Sequence, residues 1–266
     1  MNAFFQAISE RQTRLNSFLC VGLDPEPSKL PERYLGAERP VKQFCLDVID
    51  STSDVACCFK PQFAHFAAAD ALDDLRDVIA HLKERSIPVI LDAKRGDVGS
   101  TSAYYAREAF DVYDADAVTV NPYLGGDSLI PFLEREDRGV ILLCRTSNPG
   151  GADVQNLKLT DGSQVYERIA ELASSEWNSR QNVGLVVGAT RPDELARVRE
   201  IVGGMFLLLP GIGAQGGDVA ASLESGAGGG LIISSSRAVL YPEEEDLQAV
   251  RQVALDTRDL INEHRQ

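Results

Sequence analysis

Short runs of branched apolar residues recur along this chain, each stopped by proline, glycine or a charge. Phe18-Leu-Cys-Val-Gly-Leu-Asp24 ends at Pro25, and Val55-Ala-Cys-Cys-Phe-Lys60 ends at Pro61. Further runs lie at residues 88–94, 117–121, 139–145, 183–188, 205–209 and 230–234. They are apolar on both faces, which fits strands covered on both sides. Between them the spacing of apolar positions becomes helical: residues 3–16, with Phe4, Ile8 and Leu15 on one face, then 40–53, 70–85, 100–110, 163–177 and 243–263. Ser or Thr is expected to cap the helix at 100–110, and another helix is expected to open at Pro192 with its cap near Thr190. About eight strand–helix units, with no break in composition, predict an α/β fold. The form predicted is a (β/α)8 TIM barrel, one domain over residues 1–266, with the N-terminal helix covering the barrel bottom. A doubly wound sheet is the alternative.

Strand alternation then sorts the charges. In Pro88-Val-Ile-Leu-Asp-Ala-Lys-Arg-Gly-Asp97, residues Ile90, Asp92 and Lys94 share one face, while Val89, Leu91 and Ala93 share the other. An acid and a base therefore stand on one side of a strand's C-terminal end, and Asp97 follows on the outgoing loop. Asp24 and Lys60 also stand at strand ends, the side on which barrels of this kind place their active sites. Two readings are open for the cluster: a salt bridge closing the rim, or a site that uses its charges. Residues 147–163 are long, polar and glycine-containing, and read either as a lid or as a surface loop.

Gly211-Ile-Gly-Ala-Gln-Gly216 fits G-x-G-x-x-G, yet it comes late and has no acid about 20 residues on, as a dinucleotide site would require. In a barrel the loops after the last two strands commonly hold phosphate. Gln215 could donate an amide there, and Arg237 a forked cation. The plain alternative is a turn and a surface charge.

Composition narrows the class. A net charge of −14 argues against nucleic-acid binding, although 26 lysines and arginines remain for a local anion pocket. No apolar run is long enough to span a bilayer, and the N-terminus lacks the pattern of a signal peptide, so a cytoplasmic protein is expected. The five cysteines lie in apolar or amphipathic runs without a Cys-x-x-Cys pair, which reads as reduced thiols. The adjacent Cys57 and Cys58 are expected on opposite faces of their strand.

Taken together, Asp92-Ala-Lys-Arg-Gly-Asp97, Lys60 in Phe-Lys-Pro-Gln, Asp24 in Gly-Leu-Asp-Pro, Pro210-Gly-Ile-Gly-Ala-Gln-Gly-Gly and Ser236-Arg237 resemble the orotidine 5′-phosphate decarboxylase family. The longer helical N-terminus, Thr146-Ser-Asn-Pro and Val-Asn121-Pro-Tyr are similar to its bacterial type 2 branch. The resemblance runs from about Phe18 to Arg237. It implies that Lys60, Asp92, Lys94 and Asp97 form a network of alternating charge. It further implies a homodimer, with Asp97 donated across the interface. Asp24 would hold the ribose hydroxyls, Ser147 (or the adjacent Thr146) the pyrimidine, and Gln215 and Arg237 the phosphate. The reaction implied is orotidine 5′-monophosphate to uridine 5′-monophosphate and carbon dioxide, with Lys94 protonating C6 and no metal or organic cofactor. Two rivals are a metal-dependent sugar-phosphate decarboxylase or aldolase on the same barrel, and a non-catalytic phosphate-binding barrel.

Overall fold

The computed structural model describes residues 1–189, 191–211 and 219–265. Thr190, and the glycine-rich segment 212–218 with Gln215, lie outside the described residues. The apolar runs form eight parallel strands: β1 (Leu19–Leu23), β2 (Cys58–Pro61), β3 (Ile90–Arg95), β4 (Ala117–Val120), β5 (Gly139–Arg145), β6 (Val183–Val187), β7 (Leu207–Pro210) and β8 (Leu231–Ser235). Their order is β2-β1-β8-β7-β6-β5-β4-β3, and the parallel bridges Phe59 to Val89 and Gln62 to Asp92 join the two edges. The sheet is thus a nearly closed barrel rather than a doubly wound layer.

Helices cover the outside. The N-terminal α1 (Ala3–Leu15) precedes the barrel, and α2 (Pro40–Thr52) follows β1. Next come α3 (Phe63–Ala68) and α4 (Leu72–Glu84), α5 (Gly99–Arg107), α6 (Gly126–Leu133), α7 (Ala152–Gln155) and α8 (Val165–Ser175). The last are α9 (Pro192–Val202), α10 (Val219–Gly226), α11 (Arg237–Leu240) and α12 (Leu247–His264). The α5 helix has Val98 at its start and no side-chain cap, so the Ser or Thr cap expected there is absent.

Alternation places the outward residues Leu19, Val21, Leu23, Val89 and Leu91 in the core between strands and helices. Inward residues Cys20, Cys58, Ile90, Ile141 and Ile232 form a second core inside the barrel. There α1 closes the floor with Phe4, Phe5 and Ile8, and Phe5 stacks on Phe206 at 4.7 Å between centroids. The strands make room for these rings with glycine: a Cβ on Gly139 would overlap Phe4, and one on Gly184 would sit 3.0 Å from Phe5. Arg11 ties the helix down by donating to the carbonyls of Ser53 (2.8 Å), Ala56 (3.0 Å) and Cys57 (3.1 Å).

A second expectation fails. Cys57 and Cys58 both join the inner core, with their sulfurs 3.9 Å apart. Cys57 precedes β2, so the alternation of a regular strand does not reach it. All five thiols are free and buried.

Candidate active site

At the C-terminal mouth, β2 and β3 bring Lys60 and Asp92 together across 32 residues of sequence. Lys60 Nζ donates to Asp92 Oδ2 at 2.8 Å, and Lys94 Nζ donates to Asp92 Oδ1 at 2.6 Å. Two further donors complete the carboxylate: Gln62 Nε2 to Oδ2 at 3.2 Å, and Thr119 Oγ1 to Oδ1 at 2.9 Å. Four donors fill the lone pairs that a carboxylate offers. Side-chain exposure is 6% for Lys60 and 8% for Asp92 but 46% for Lys94, so one ammonium is embedded and the other faces the open mouth.

Burial is the largest influence on both embedded groups, and it opposes their charge. For Asp92 the nearby ammoniums of Lys60 and Lys94 outweigh it and hold the carboxyl well below the usual range. For Lys60 the carboxylates of Asp92 and Asp24 outweigh it and push the ammonium above its ordinary range. The pair is ionised at neutral pH because each member stabilises the other.

Lys94 reaches this position through an uncommon backbone. Its φ is +47°, in the left-handed region, which costs a non-glycine residue about 1–2 kcal/mol. The ladder between β3 and β4 pairs Leu91 with Val118 and resumes only at Arg95 with Val120. Within this irregularity Lys94 N donates to Thr119 Oγ1 at 3.0 Å. Thr119 thus holds both the main chain of Lys94 and the carboxylate beneath it.

The other predicted residues are placed as follows. Asp24 follows β1, and its Oδ1 is buried with no hydrogen-bond partner among the described residues. Ser147 follows β5 and crosses over β6: a Cβ on Gly188 would lie 2.7 Å from the Ser147 main chain. The neighbouring Thr146 hydroxyl bonds to Asn148 (2.6 Å) and Gln155 (2.9 Å). Arg237 opens α11 and is exposed, with no ion pair recorded among the described residues. Ser236 just before it folds over β1, where a Cβ on Gly22 would overlap its hydroxyl. Gln215 lies outside the described residues. Asp97 does not join the cluster within one chain; its Oδ1 accepts from Val98 N at 2.7 Å. Three of the four charges expected to interleave therefore meet in a single chain.

Sequence reasoning missed four participants. Gln62 stands just past β2 and Thr119 on β4, and a polar Thr inside Ala117-Val-Thr-Val120 was the available signal. Arg145, 2% exposed, pairs with Glu194 on α9 at 2.7 Å. Its Nη1 also donates to Gln155 Oε1 at 3.1 Å, and Asn156 donates to Glu194 at 2.8 Å, which anchors the start of the 147–163 segment. No local pattern announces a partner 49 positions away.

The chain is similar to known proteins in sequence and in fold. A sequence profile described as the Orotidine 5′-phosphate decarboxylase / HUMPS family matches residues 17–253. The orotidine 5′-phosphate decarboxylase of Aromatoleum aromaticum is 54% identical over 269 residues, covering 98% of this chain and 99% of that protein. That of Dechloromonas aromatica is 55% identical with the same coverage. The solved structure of Leishmania donovani OMP decarboxylase matches with a TM-score of 0.84 at 39% identity, over 98% of each chain.

Proposed function

We infer the function from one premise: the chain belongs to the orotidine 5′-phosphate decarboxylase / HUMPS family. It is a lyase that decarboxylates orotidine 5′-monophosphate in pyrimidine biosynthesis. The observation that carries the mechanism is the carboxylate of Asp92 clamped between Lys60 and Lys94 at the barrel mouth.

In the proposed reaction the bond from C6 to the carboxylate breaks, its electron pair stays on C6, and carbon dioxide leaves. The Lys94 ammonium faces that carbon and stabilises the growing charge before the chemistry needs it. It then transfers a proton to C6, giving uridine 5′-monophosphate, and regains one from solvent. Lys60 and Thr119 hold Asp92, and Asp92 holds Lys94, so little reorganisation accompanies the step. The buried, unpartnered oxygen of Asp24 suits a ribose hydroxyl. Ser147, or the adjacent Thr146 whose hydroxyl bonds to Asn148 and Gln155, would contact the pyrimidine. Gln215 and Arg237 would grip the phosphate, whose binding energy is then available at the ring.

A metal-dependent mechanism is disfavoured by the chemistry of the carboxylate. Both Asp92 oxygens already accept two donors, and a divalent ion would have to displace one of them.

We place Asp97 in the site of a second copy. Beside it Val98 (54% exposed) and Tyr104 (69%) stand out from the surface, as do Tyr123 and Leu124 on the turn before α6. Exposed apolar side chains on the segments that follow Asp97 suit a contact face. Buried free thiols suit a reducing cytoplasm.

The test is an absorbance assay with orotidine 5′-monophosphate, with and without chelator. Turnover insensitive to chelator is expected; nucleotide binding without release of carbon dioxide would overturn the reading. For the shared site, inactive Lys94→Ala and Asp97→Ala proteins are mixed and allowed to exchange subunits. A hybrid dimer carries one intact site, so activity should return; no recovery in verified hybrids would place Asp97 elsewhere.

A further inference from the structure

The conformation of Lys94 needs an explanation that Asp92 and Thr119 do not supply. A left-handed non-glycine residue persists only where its surroundings over-determine it. Thr119 holds Lys94 from its N-terminal side. On its C-terminal side stands Arg95, which the proposed chemistry does not use.

Arg95 is gripped from several directions. Its carbonyl accepts from Asn121 N at 2.7 Å, where the β3–β4 ladder resumes. Its guanidinium forms a two-pronged pair with Glu108, Nε to Oε2 at 2.8 Å and Nη2 to Oε1 at 3.0 Å. Its Cζ lies 4.1 Å from the ring centre of Phe63 and 4.8 Å from that of Tyr105. The side chain is 17% exposed.

These partners come from the segments that carry the site. Phe63 opens α3 directly after Lys60 and Gln62. Tyr105 lies on α5, which follows Asp97, and Glu108 is three residues on, on the same helix face. At Glu108 the helix widens into a π segment, Glu108–Val112, a feature that recurs at functional sites. One guanidinium therefore clamps the exits of β2 and β3 to the helix behind them.

We propose that Arg95 is a positioning residue: its fork onto Glu108, between Phe63 and Tyr105, holds the left-handed turn that aims the Lys94 ammonium at the reacting carbon. The inference rests on Lys94 being the acid of the decarboxylation. Arg95 touches neither Asp92 nor Lys60 and acts through the main chain. Lysine cannot replace it, because an ammonium has neither the fork nor the plane that stacks between two rings.

The experiment is Arg95→Lys, with kcat and KM for orotidine 5′-monophosphate, the Kd for uridine 5′-monophosphate, and a thermal melt. A displaced acid predicts a fall in kcat of about 10- to 100-fold. KM and the product Kd should change less than about threefold, since a displaced ammonium leaves uniform binding intact. A folded variant with parental kcat overturns the proposal. So does a loss of kcat matched by equal weakening of product binding, which marks general damage to the site. If Arg95→Lys does not fold, Glu108→Gln decides: it keeps the shape, removes the negative charge and leaves one acceptor for the two donors of Arg95, and should show the same split in smaller measure, whereas parental kcat there overturns the proposal. A parent enzyme that releases no carbon dioxide would sink the functional reading and this inference with it. An active parent beside an equally active folded variant sinks the inference alone.

Discussion

Lys60 at the mouth and Arg199 near the floor are both buried cations, and the protein treats them in opposite ways. Lys60 is matched by carboxylates, and its ammonium titrates above its ordinary range. Arg199, on α9 and 7% exposed, pairs with no carboxylate among the described residues. It donates to the carbonyls of Gly226 (2.9 Å), Met205 (2.7 Å), Gly230 (3.0 Å) and Gly203 instead. Burial alone pulls its guanidinium down to about 10, still charged at neutral pH. Neutral dipoles suffice for a cation that only ties loops together. A charge meant to act on a substrate is embedded among other charges, whose removal is felt at once.

The sharpest way to break this contrast is Lys94→Ala. It should lower kcat by about 10³-fold or more, combining the acid and the electrostatic contributions. Stability should change by about 1 kcal/mol or less, since this side chain is half exposed. An active Lys94→Ala protein in the absorbance assay would end the assignment.

Asp92→Asn should harm both properties. It strands the buried Lys60 beside a neutral amide, at a cost of about 3–5 kcal/mol in denaturant unfolding, and kcat should fall by about 10²-fold or more. Arg199→Met probes the other side of the comparison. Four carbonyls lose a donor, so about 2–4 kcal/mol of stability should go, while kcat of the folded fraction stays within about twofold of the parent. A large loss of kcat there would mean that the floor and the mouth are coupled.

The smallest effect is the dependence of stability on pH. Asp92 titrates lower in the folded state than in the unfolded one, so its contribution is complete above about pH 3.9 and is lost as pH falls below that. Lys60 titrates higher when folded, so its contribution is complete below about pH 10.4 and is lost as pH rises through the folded value. Unfolding free energies across pH should show both arms. In Asp92→Asn the acid arm should become shallower without vanishing, because Asp77 and Asp111 are also held low by arginine and lysine partners.

Much of this was legible beforehand. The inward side taken by Ile90 followed from alternation, and β5 occupies residues 139–145 as the apolar run predicted. The limits of other elements shifted by a few residues: the third helical stretch, expected over 70–85, is α4 (Leu72–Glu84) preceded by the short α3. Cys57 broke the alternation because it lies outside the strand. Gln62 escaped notice because its role depends on the neighbouring strand, which a single segment does not contain.

What the sequence determined by itself is local: the period of each run, the face each side chain takes, and which charges stand where a strand stops. These follow from backbone geometry within a few residues. Closure of β2 onto β3 decided the rest, because only it brings Lys60 within 2.8 Å of Asp92. The left-handed turn at Lys94, the clamp on Arg95 and the pairing of Arg145 with Glu194 likewise belong to the tertiary structure. Each depends on groups far apart in the chain, whose attraction counts only after folding has excluded the water between them.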